Sequence, residues 1–359
     1  MVKKLRAGII GCGGIANGKH MPNIVKTGRA DMVAFCDIIE EKATKAAKEF
    51  GTADAKVYVD YKKLLEDKTL DMVYVLTPNK SHSFITIDAL EAGKHVMCEK
   101  PMAKTSKEAR AMVETAKKTG KVLTIGYQTR FFKESQYIKK TIDRGDLGDI
   151  YYAKAHALRR RAVPTWGVFL NEEEQGGGPL IDIGTHALDL TLWYMNNYKP
   201  KSVMGSVYKK LNANGDCGNA FGPWDPDQFK VEDSAFGFIT MENGATIVLE
   251  SSWAINMVEA YEAKATVCGT KGGADMKEGV RLNGDEFGRL YVKKPDLGGG
   301  GVAFYEGGAD DPLVVEQNTF MDAITKGTPL VINPEEACVV TEILEAIYKS
   351  AETGKLIEF

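Results

Sequence analysis

The chain has 359 residues, of which 44% are hydrophobic and 26% are charged. This length predicts two domains, and the composition is typical of a globular protein rather than a disordered or fibrous one. The 46 basic and 49 acidic side chains give a net charge of −3, which provides no electrostatic reason to expect nucleic acid or a membrane as a partner. The six cysteines are far apart, and no apolar run approaches the roughly 18 residues that span a bilayer. We therefore expect a cytoplasmic protein with free thiols and no metal site.

The first third of the chain alternates between strand-like and helix-like segments. Apolar runs rich in β-branched residues predict strands at residues 5–10, 32–36, 72–76, 95–97 and 122–125. Alanine-rich amphipathic segments predict helices at residues 40–50, 82–92 and 106–119. A glycine follows each of these helices and is predicted to cap it with a positive φ: Gly51, Gly93 and Gly120. This alternation is typical of βαβ units in a doubly wound parallel sheet.

The pattern changes near Tyr127. Long alternating segments predict strands at residues 150–159, 201–208, 233–240 and 245–253, and Asn243-Gly244 predicts a tight hairpin between the last two. Helices are predicted at residues 136–144, 312–325 and 334–353, and a loop at 295–308. The chain is therefore predicted to have an α/β domain over residues 1–127 and an α+β domain with an antiparallel sheet over residues 128–359.

A glycine-rich motif, GCGGIA at residues 11–16, follows the first predicted strand and has the pattern G-x-G-x-x-A. Gly11 permits a tight turn, Gly13 lets the backbone approach a pyrophosphate, and Ala16 allows close packing of helix and strand. Asp37 ends the second strand, where a carboxylate can accept hydrogen bonds from an adenosine ribose. A purely structural turn is the alternative, but the position within a βαβ unit favours a dinucleotide site. Because Asp37 would repel a 2′-phosphate, we predict NAD rather than NADP.

Two further polar segments are predicted at the carboxyl edge of the same sheet. Glu-Lys-Pro at residues 99–101 follows one strand, and Thr-Pro-Asn at 77–79, with His82, follows another. Ligands bind at this edge in open α/β folds, which favours a functional role for both segments. The structural alternative for the second is a strand-to-helix turn with Ser81 as the N-cap.

A third motif lies in the second domain, where Asp182, His186 and Asp189 have the spacing i, i+4 and i+7. If the segment is helical throughout, these side chains form one stripe. One interpretation is a catalytic histidine with an acidic partner. The other is a buried histidine for which Asp182 is a structural partner, and the motif alone favours neither.

Taken together, these motifs resemble the Gfo/Idh/MocA family of oxidoreductases, which includes glucose–fructose oxidoreductase and inositol dehydrogenase. The resemblance covers nearly the whole chain and includes GYQTRF at residues 126–131. It implies a Rossmann domain followed by a domain with a large, mostly antiparallel open sheet, through which a homo-oligomer is expected to form. It also implies an enzyme that transfers a hydride between NAD and a secondary alcohol of a sugar, glycoside or cyclitol.

The resemblance also implies roles for individual residues. It assigns cofactor contacts to Gly11, Gly13, Gly14, Ile15, Asp37, Thr77, Pro78, Asn79, His82, Glu99, Lys100 and Gln128. It assigns catalysis to Lys100, Asp182 and His186. In this set neutral His186 is suited to accept the hydroxyl proton, Asp182 to orient its ring, and Lys100 to stabilise the alkoxide.

The substrate side is assigned partly from residue chemistry. In addition to the catalytic residues, substrate contacts are predicted from Arg130, Arg159 and Trp166, since an indole stacks on a sugar and an arginine binds a carboxylate or phosphate. The alternatives are that Trp166 belongs to the core and that two of the three arginines at 159–161 are partly solvated. The tryptophan and glycine pattern at residues 166–178 is similar to that of family members acting on glycosides and cyclitols, including glycoside 3-dehydrogenases. Two rival hypotheses are an NAD-retaining, redox-neutral glycosidase and a non-catalytic NAD-binding sensor.

Overall fold

The computed structural model describes residues 4–298 and 311–359, and the chain forms two compact units. The first contains residues 4–131 and 311–338, and the second contains residues 132–298 and 339–359. The boundary predicted from the sequence lies between residues 127 and 128 and assigns the whole of 128–359 to the second domain. In the structure, residues 128–131 and 311–338 belong instead to the first unit. Most of the predicted loop at 295–308 lies outside the described residues.

The first unit is built on a parallel sheet of six strands within the described part of the chain. In chain order the strands are β1 (Leu5–Ile10), β2 (Ala30–Cys36), β3 (Lys56–Tyr58), β4 (Met72–Val75), β5 (His95–Cys98) and β6 (Leu123–Ile125). Their spatial order is β3-β2-β1-β4-β5-β6, and all the pairings are parallel. The predicted Rossmann sheet is therefore confirmed, although the short strand β3 was not predicted.

Helices cover the strands of this first sheet. They are α1 (Met21–Thr27), α2 (Glu40–Phe50), α3 (Tyr61–Leu65), α4 (Asn79–Glu91), α5 (Ser106–Thr119) and, near the end of the chain, α9 (Pro312–Lys326). Phe320 and Met321 of α9 are buried in one apolar cluster with Met21, Ile24 and Tyr74. This packing explains why α9 belongs with the first unit and not with the predicted second domain.

The prediction that a glycine caps each of three helices with a positive φ is confirmed at two positions. Gly93 has φ +80° and Gly120 has φ +64°, but Gly51 has φ −80°, so the prediction was wrong there. A Cβ at Gly51 would lie 2.5 Å from the Ala47 carbonyl oxygen and 2.9 Å from Phe35 Cε2. Gly51 is therefore required for close packing and not for its φ.

The second unit is built on a mostly antiparallel sheet. Its strands are β7 (Ile150–Leu158), β8 (Pro200–Tyr208), β9 (Ser234–Met241), β10 (Thr246–Ser252), β11 (Lys264–Gly269), β12 (Gly272–Asp275), β13 (Arg281–Glu286), β14 (Arg289–Lys293) and β15 (Ile357–Glu358). The spatial order is β14-β13-β12-β11-β7-β10-β9-β8-β15, and β7 pairs with β10 in parallel. The predicted Asn-Gly hairpin joins β9 to β10, and Gly244 has φ +85°. The mostly antiparallel sheet is thus confirmed, while the strands after β10 were not predicted.

One face of this second sheet is covered by helices and the other is open. The helices after α5 are α6 (Lys133–Asp143), α7 (Glu172–Gln175), α8 (Thr185–Met195) and α10 (Pro334–Thr353). A Cβ at either of the cross-strand neighbours Gly205 and Gly237 would lie within 2.7 Å of Ile347, so these glycines allow α10 to pack directly on the strands. Met204 and Phe238, which pair on the other face, are 45% and 53% exposed. Among the described residues, no helix is both long and apolar enough to cross a bilayer.

Candidate active site

The glycine loop follows β1 at the carboxyl edge of the parallel sheet. Gly11 has φ +92°, and a Cβ there would lie 2.6 Å from the Leu76 carbonyl oxygen, so this turn requires glycine. A Cβ at Gly13 or Gly14 would have no protein atom within 4 Å. The backbone is therefore accessible from this side, as the approach of a pyrophosphate requires. The loop therefore has room for the pyrophosphate of NAD, and its individual cofactor contacts stay predictions.

Asp37 follows β2 and is fixed beside the glycine loop. Its Oδ2 accepts a hydrogen bond from the Cys12 N–H at 2.9 Å, and its Oδ1 accepts one from the Ile39 N–H at 2.9 Å. Each oxygen of an ionised carboxylate can accept more than one hydrogen bond. Asp37 therefore keeps the capacity to accept hydrogen bonds from ribose hydroxyls.

His82 connects the ends of two neighbouring strands. Its Nε2 lies 2.7 Å from the Thr77 carbonyl oxygen and its Nδ1 lies 2.8 Å from that of Pro101. Burial lowers the pKa of His82, and the two carbonyl contacts oppose this shift only in part. Helix α4 begins at Asn79, so Ser81 is not the N-cap, and its hydroxyl donates to Thr77 Oγ1 at 2.7 Å. These contacts give His82 a structural role, and its predicted cofactor contact stays a prediction.

The carboxylate of Glu99 is held from three sides. Its Oε1 lies 3.0 Å from Lys19 Nζ and 2.7 Å from His20 Nε2, and its Oε2 accepts the Lys100 N–H at 2.9 Å. A Cβ at Gly126 would lie 3.0 Å from Glu99 Oε1, so the glycine of the GYQTRF motif leaves room for this carboxylate. The position of Lys100 is thereby coupled to that of Glu99.

Lys19 is a functional candidate that the sequence did not reveal. It is buried, and its Nζ also contacts Gln128 Oε1 at 2.9 Å and Glu316 Oε2 at 3.2 Å. Burial would lower the pKa of Lys19, but the charges of Glu316 and Glu99 raise it overall. Burial would likewise raise the pKa of Glu99, but Lys19 and His20 hold it well below its usual range. Both side chains are thus charged.

Asp182 and His186 lie on either side of a change in helix type. Asp182 belongs to a π-helical turn, Leu180–Gly184, whereas His186 is in the first turn of α8. The segment is therefore not one continuous α-helix, and π-helical turns are frequent at functional sites. His186 is 9% exposed. Asp182 Oδ2 accepts a hydrogen bond from the indole N–H of buried Trp253 at 3.0 Å, a partner that was not predicted.

An aromatic series extends from Trp253 to the surface of the second unit. Phe169 packs edge-to-face against Trp253 and Trp166, with centroid distances of 6.4 and 5.8 Å, and Trp166 packs against Phe221 at 4.7 Å. Trp166 is 52% exposed, which contradicts the core interpretation. The structure therefore brings Trp166 toward the same part of the unit as Asp182.

Arg159 and Arg130 differ in their surroundings. Burial would lower the pKa of Arg159, but paired hydrogen bonds to Glu262, each 2.6 Å long, and the nearby charge of Asp182 raise it. Arg159 thus lies within electrostatic range of the candidate site. Arg130 is 0% exposed and donates to the Val331 carbonyl at 2.9 Å and to Glu336 at 2.6 Å. The predicted substrate contact of Arg130 is therefore not supported, because its guanidinium is held inside the first unit.

Comparison with known proteins agrees with this architecture. The family described as an oxidoreductase family with an NAD-binding Rossmann fold matches residues 5–127, and the Gfo/Idh/MocA C-terminal domain matches residues 135–275. The chain is 37% identical over 354 residues to D-glucoside 3-dehydrogenase of Escherichia coli (strain K12), covering 99% of this chain and 97% of that protein. It is 25% identical over 357 residues to myo-inositol 2-dehydrogenase of Thermotoga maritima, covering 99% and 98%.

A solved structure shows the same fold. Levoglucosan dehydrogenase in complex with NADH and levoglucosan has a TM-score of 0.82 to this chain at 22% identity, with 99% of each chain covered. NAD is the cofactor expected from the glycine loop and Asp37, and the matched Rossmann family is NAD-binding. The chain therefore belongs to the Gfo/Idh/MocA family of NAD-binding oxidoreductases.

Proposed function

We propose that this chain is an NAD-dependent dehydrogenase that oxidises a secondary alcohol of a sugar, glycoside or cyclitol, with C3 of a glycoside as the leading candidate. The observation that carries the proposal is the 37% identity to D-glucoside 3-dehydrogenase across 99% of the chain. The full-length similarity to an inositol 2-dehydrogenase keeps cyclitols within the proposed substrate class. The fold alone would not select a substrate.

The proposed chemistry divides between the cofactor and three side chains. Bound NAD supplies the hydride acceptor. Because a hydride leaves the alcohol carbon only as the hydroxyl loses its proton, a base must contact that hydroxyl, and His186 has this role. Asp182, held by the Trp253 indole, stabilises the resulting imidazolium, while Lys100 donates to the oxygen and stabilises its developing charge.

The proposed substrate is uncharged. The exposed ring of Trp166 offers a surface for the apolar face of a sugar. The guanidinium of Arg159 is bound to Glu262 through two hydrogen bonds, so its charge is balanced within the protein. This pairing favours a neutral sugar or glycoside over a sugar acid or sugar phosphate.

A screen of NAD-linked turnover tests this proposal. Sugars, glycosides and cyclitols are incubated with the protein and NAD, NADH is followed by absorbance, and products are identified by mass. A product lighter by two hydrogens, formed together with NADH, supports the dehydrogenase. A released aglycone with no net NADH selects the redox-neutral glycosidase, and intact NAD binding without any turnover selects the sensor.

The role of His186 is tested in the same assay. His186→Ala is expected to lower kcat by about 10² or more, the scale of a lost general base, and to leave NAD affinity nearly unchanged. His156→Ala removes another buried histidine of the second unit, one that contacts Glu250, and serves as the control with unchanged kcat. Wild-type turnover by His186→Ala would contradict its role as the general base and would indicate a structural role instead.

We further propose a cytoplasmic homo-oligomer that forms through the open face of the second sheet. Exposed Met204 and Phe238 supply apolar surface on that face, and the six free cysteines suit a reducing compartment. Light scattering after size exclusion should give a molar mass for the wild type that is a multiple of the chain mass. The molar mass of the Phe238→Lys variant should be lower. A monomeric wild-type protein would contradict the assembly.

A further inference from the structure

A buried carboxylate contacts the beginning of the segment that carries Asp182 and His186. Glu232, two residues before β9, is 3% exposed. Its Oε2 accepts the Gly178 N–H at 2.8 Å, and its Oε1 accepts the Leu180 N–H at 3.2 Å and the Tyr348 hydroxyl at 2.8 Å. Backbone N–H groups at the start of a helix have no partner within the helix, and Glu232 provides partners for two of them.

The glycine run before this segment is explained by the same contacts. A Cβ at Gly177 would overlap the Tyr348 hydroxyl, and a Cβ at Gly178 would overlap the backbone carbonyl of Glu232. Glycine at both positions therefore allows the carboxylate and the phenol to reach the backbone. The sequence alone offered no structural reason for the glycine run, and the structure explains it by the close packing of Tyr348 and Glu232 against the backbone.

A second connection leads from the neighbouring residue to Asp182. The Trp253 N–H donates to the Asp233 carbonyl at 3.1 Å, and the Trp253 indole donates to Asp182 at 3.0 Å. The Asp233 carboxylate is itself fixed, since its Oδ2 accepts the N–H groups of three consecutive residues, Lys210, Leu211 and Asn212. Residues 232 and 233 thus hold the segment at its first turn and, through Trp253, at Asp182.

We infer that Glu232, with Tyr348 as its hydrogen-bond partner, is a positioning residue for Asp182 and His186. The carboxylate fixes the first turn of the helical segment through two N–H groups, and this turn sets where the following side chains lie. The inference rests on the proposed role of His186 as the base. Glu232 itself does not touch the reacting atoms in this scheme; it acts through the backbone of residues 178–180.

Glu232→Gln tests this inference because glutamine keeps the length of the side chain but replaces one acceptor oxygen with a donor group. With NAD and a methyl D-glucoside as the substrate, we expect kcat to fall by about tenfold or more, since small misplacement of a catalytic group can cost up to ~10²-fold. KM and the NAD dissociation constant should stay within about twofold. The matched control is Glu250→Gln on β10, whose carboxylate contacts His156, and its kcat should equal that of the wild type.

A double-mutant cycle separates positioning from a general structural effect. If Glu232 acts through His186, then adding Glu232→Gln to His186→Ala should change kcat by less than about twofold. An unchanged kcat in Glu232→Gln, or a full additional loss in the His186→Ala background, would overturn the inference while leaving the proposed function intact. Wild-type kcat in His186→Ala alone, or no turnover by the wild type of any sugar, glycoside or cyclitol, would overturn both.

Tyr348→Phe provides a second variant if Glu232→Gln does not fold. It removes the hydroxyl that donates to Glu232 and keeps the aromatic ring of α10. We expect a smaller loss of kcat, of about two- to fivefold, with unchanged KM, and again no further loss in the His186→Ala background. A loss that appears in KM alone, or one that is additive with His186→Ala, would contradict the inference.

Discussion

Lys19 Nζ lies 3.0 Å from Glu99 Oε1 and 3.2 Å from Glu316 Oε2, and all three side chains are buried. Glu99 directly follows β5 and Glu316 belongs to α9, so the two carboxylates come from parts of the chain that are far apart in sequence. One ammonium group therefore joins α9 to the sheet edge at which Lys100 lies. Because buried charges are costly when a partner is missing, this cluster makes the edge sensitive to any one of its members.

Removal of the Lys19 cation should destabilise the protein strongly. Lys19→Met leaves Glu99 and Glu316 buried without their shared partner, and we expect the free energy of unfolding to fall by about 3–5 kcal/mol, as measured in urea. Lys4→Met removes an exposed ion pair with Asp31 and should cost at most about 1 kcal/mol. Addition of Glu316→Gln to Lys19→Met should restore part of the loss. Equal effects of Lys19→Met and Lys4→Met would contradict this assignment.

Cofactor preference should depend on the charge of Asp37. Asp37→Asn keeps a hydrogen-bond acceptor beside the Cys12 N–H but removes the repulsion of a 2′-phosphate. We expect the ratio of the NADP dissociation constant to the NAD dissociation constant to decrease by about tenfold, equivalent to ~1.4 kcal/mol. Fluorescence titration of both cofactors measures the ratio, and Asp31→Asn on the same unit is the control. Tighter binding of NADP than of NAD by the wild type would contradict the proposed role of Asp37 in selecting NAD.

The sequence predicted those parts of the fold whose signals are local. Helices α2 and α5 were predicted with their observed bounds, since both are strongly amphipathic and Thr105 and Glu108 form a capping box at the N-terminus of α5. The glycine loop and Asp37 were likewise found from spacing within one βαβ unit. In contrast, β3 has only three residues, all at least partly exposed, and carries little hydrophobic periodicity.

The partners of the site residues could not be predicted because they are remote in sequence. Trp253 reaches Asp182 across 71 positions and Glu232 reaches Gly178 across 54. No spacing rule marks such pairs, and an isolated buried tryptophan or glutamate resembles any core residue. Arg130 shows the converse, since its motif suggested a ligand contact while its burial serves the packing of one unit.

Acid should destabilise the protein through His82. Burial lowers the pKa of His82 below its ordinary 6.5, so below that pH the unfolded chain binds more protons than the folded one. The stabilising contribution of His82 is therefore fully present above about pH 6.5, and the free energy of unfolding falls as the pH decreases below that value. One such group lowers it by at most about 1.4 kcal/mol per pH unit. Urea unfolding at about pH 7.5 and about pH 5.5 measures the difference.

The contribution of His82 to this pH dependence is isolated by substitution. His82→Gln should reduce the loss of stability between the two pH values, and the remainder should come from His95, whose pKa is lowered by burial and by Lys121. His95→Gln is the matched variant, and both substitutions together should remove most of the dependence in this range. The same pH dependence in His82→Gln as in the wild type would show that the histidine does not titrate in the expected direction.

Substitutions at two glycines of the same loop should affect different properties, the stability in one case and NAD binding in the other. Gly11→Ala forces a Cβ to within 2.6 Å of the Leu76 carbonyl at φ +92°, so we expect the free energy of unfolding to fall by about 1–3 kcal/mol or more. Gly13→Ala meets no protein atom within 4 Å, so stability should stay within about 0.5 kcal/mol of the wild type. Its methyl group would instead occupy the side from which the pyrophosphate approaches, and the NAD dissociation constant should rise by about tenfold or more. Urea unfolding without cofactor and NAD titration measure the two effects separately. Wild-type NAD affinity in Gly13→Ala, or an equal loss of stability in both variants, would refute this division of roles.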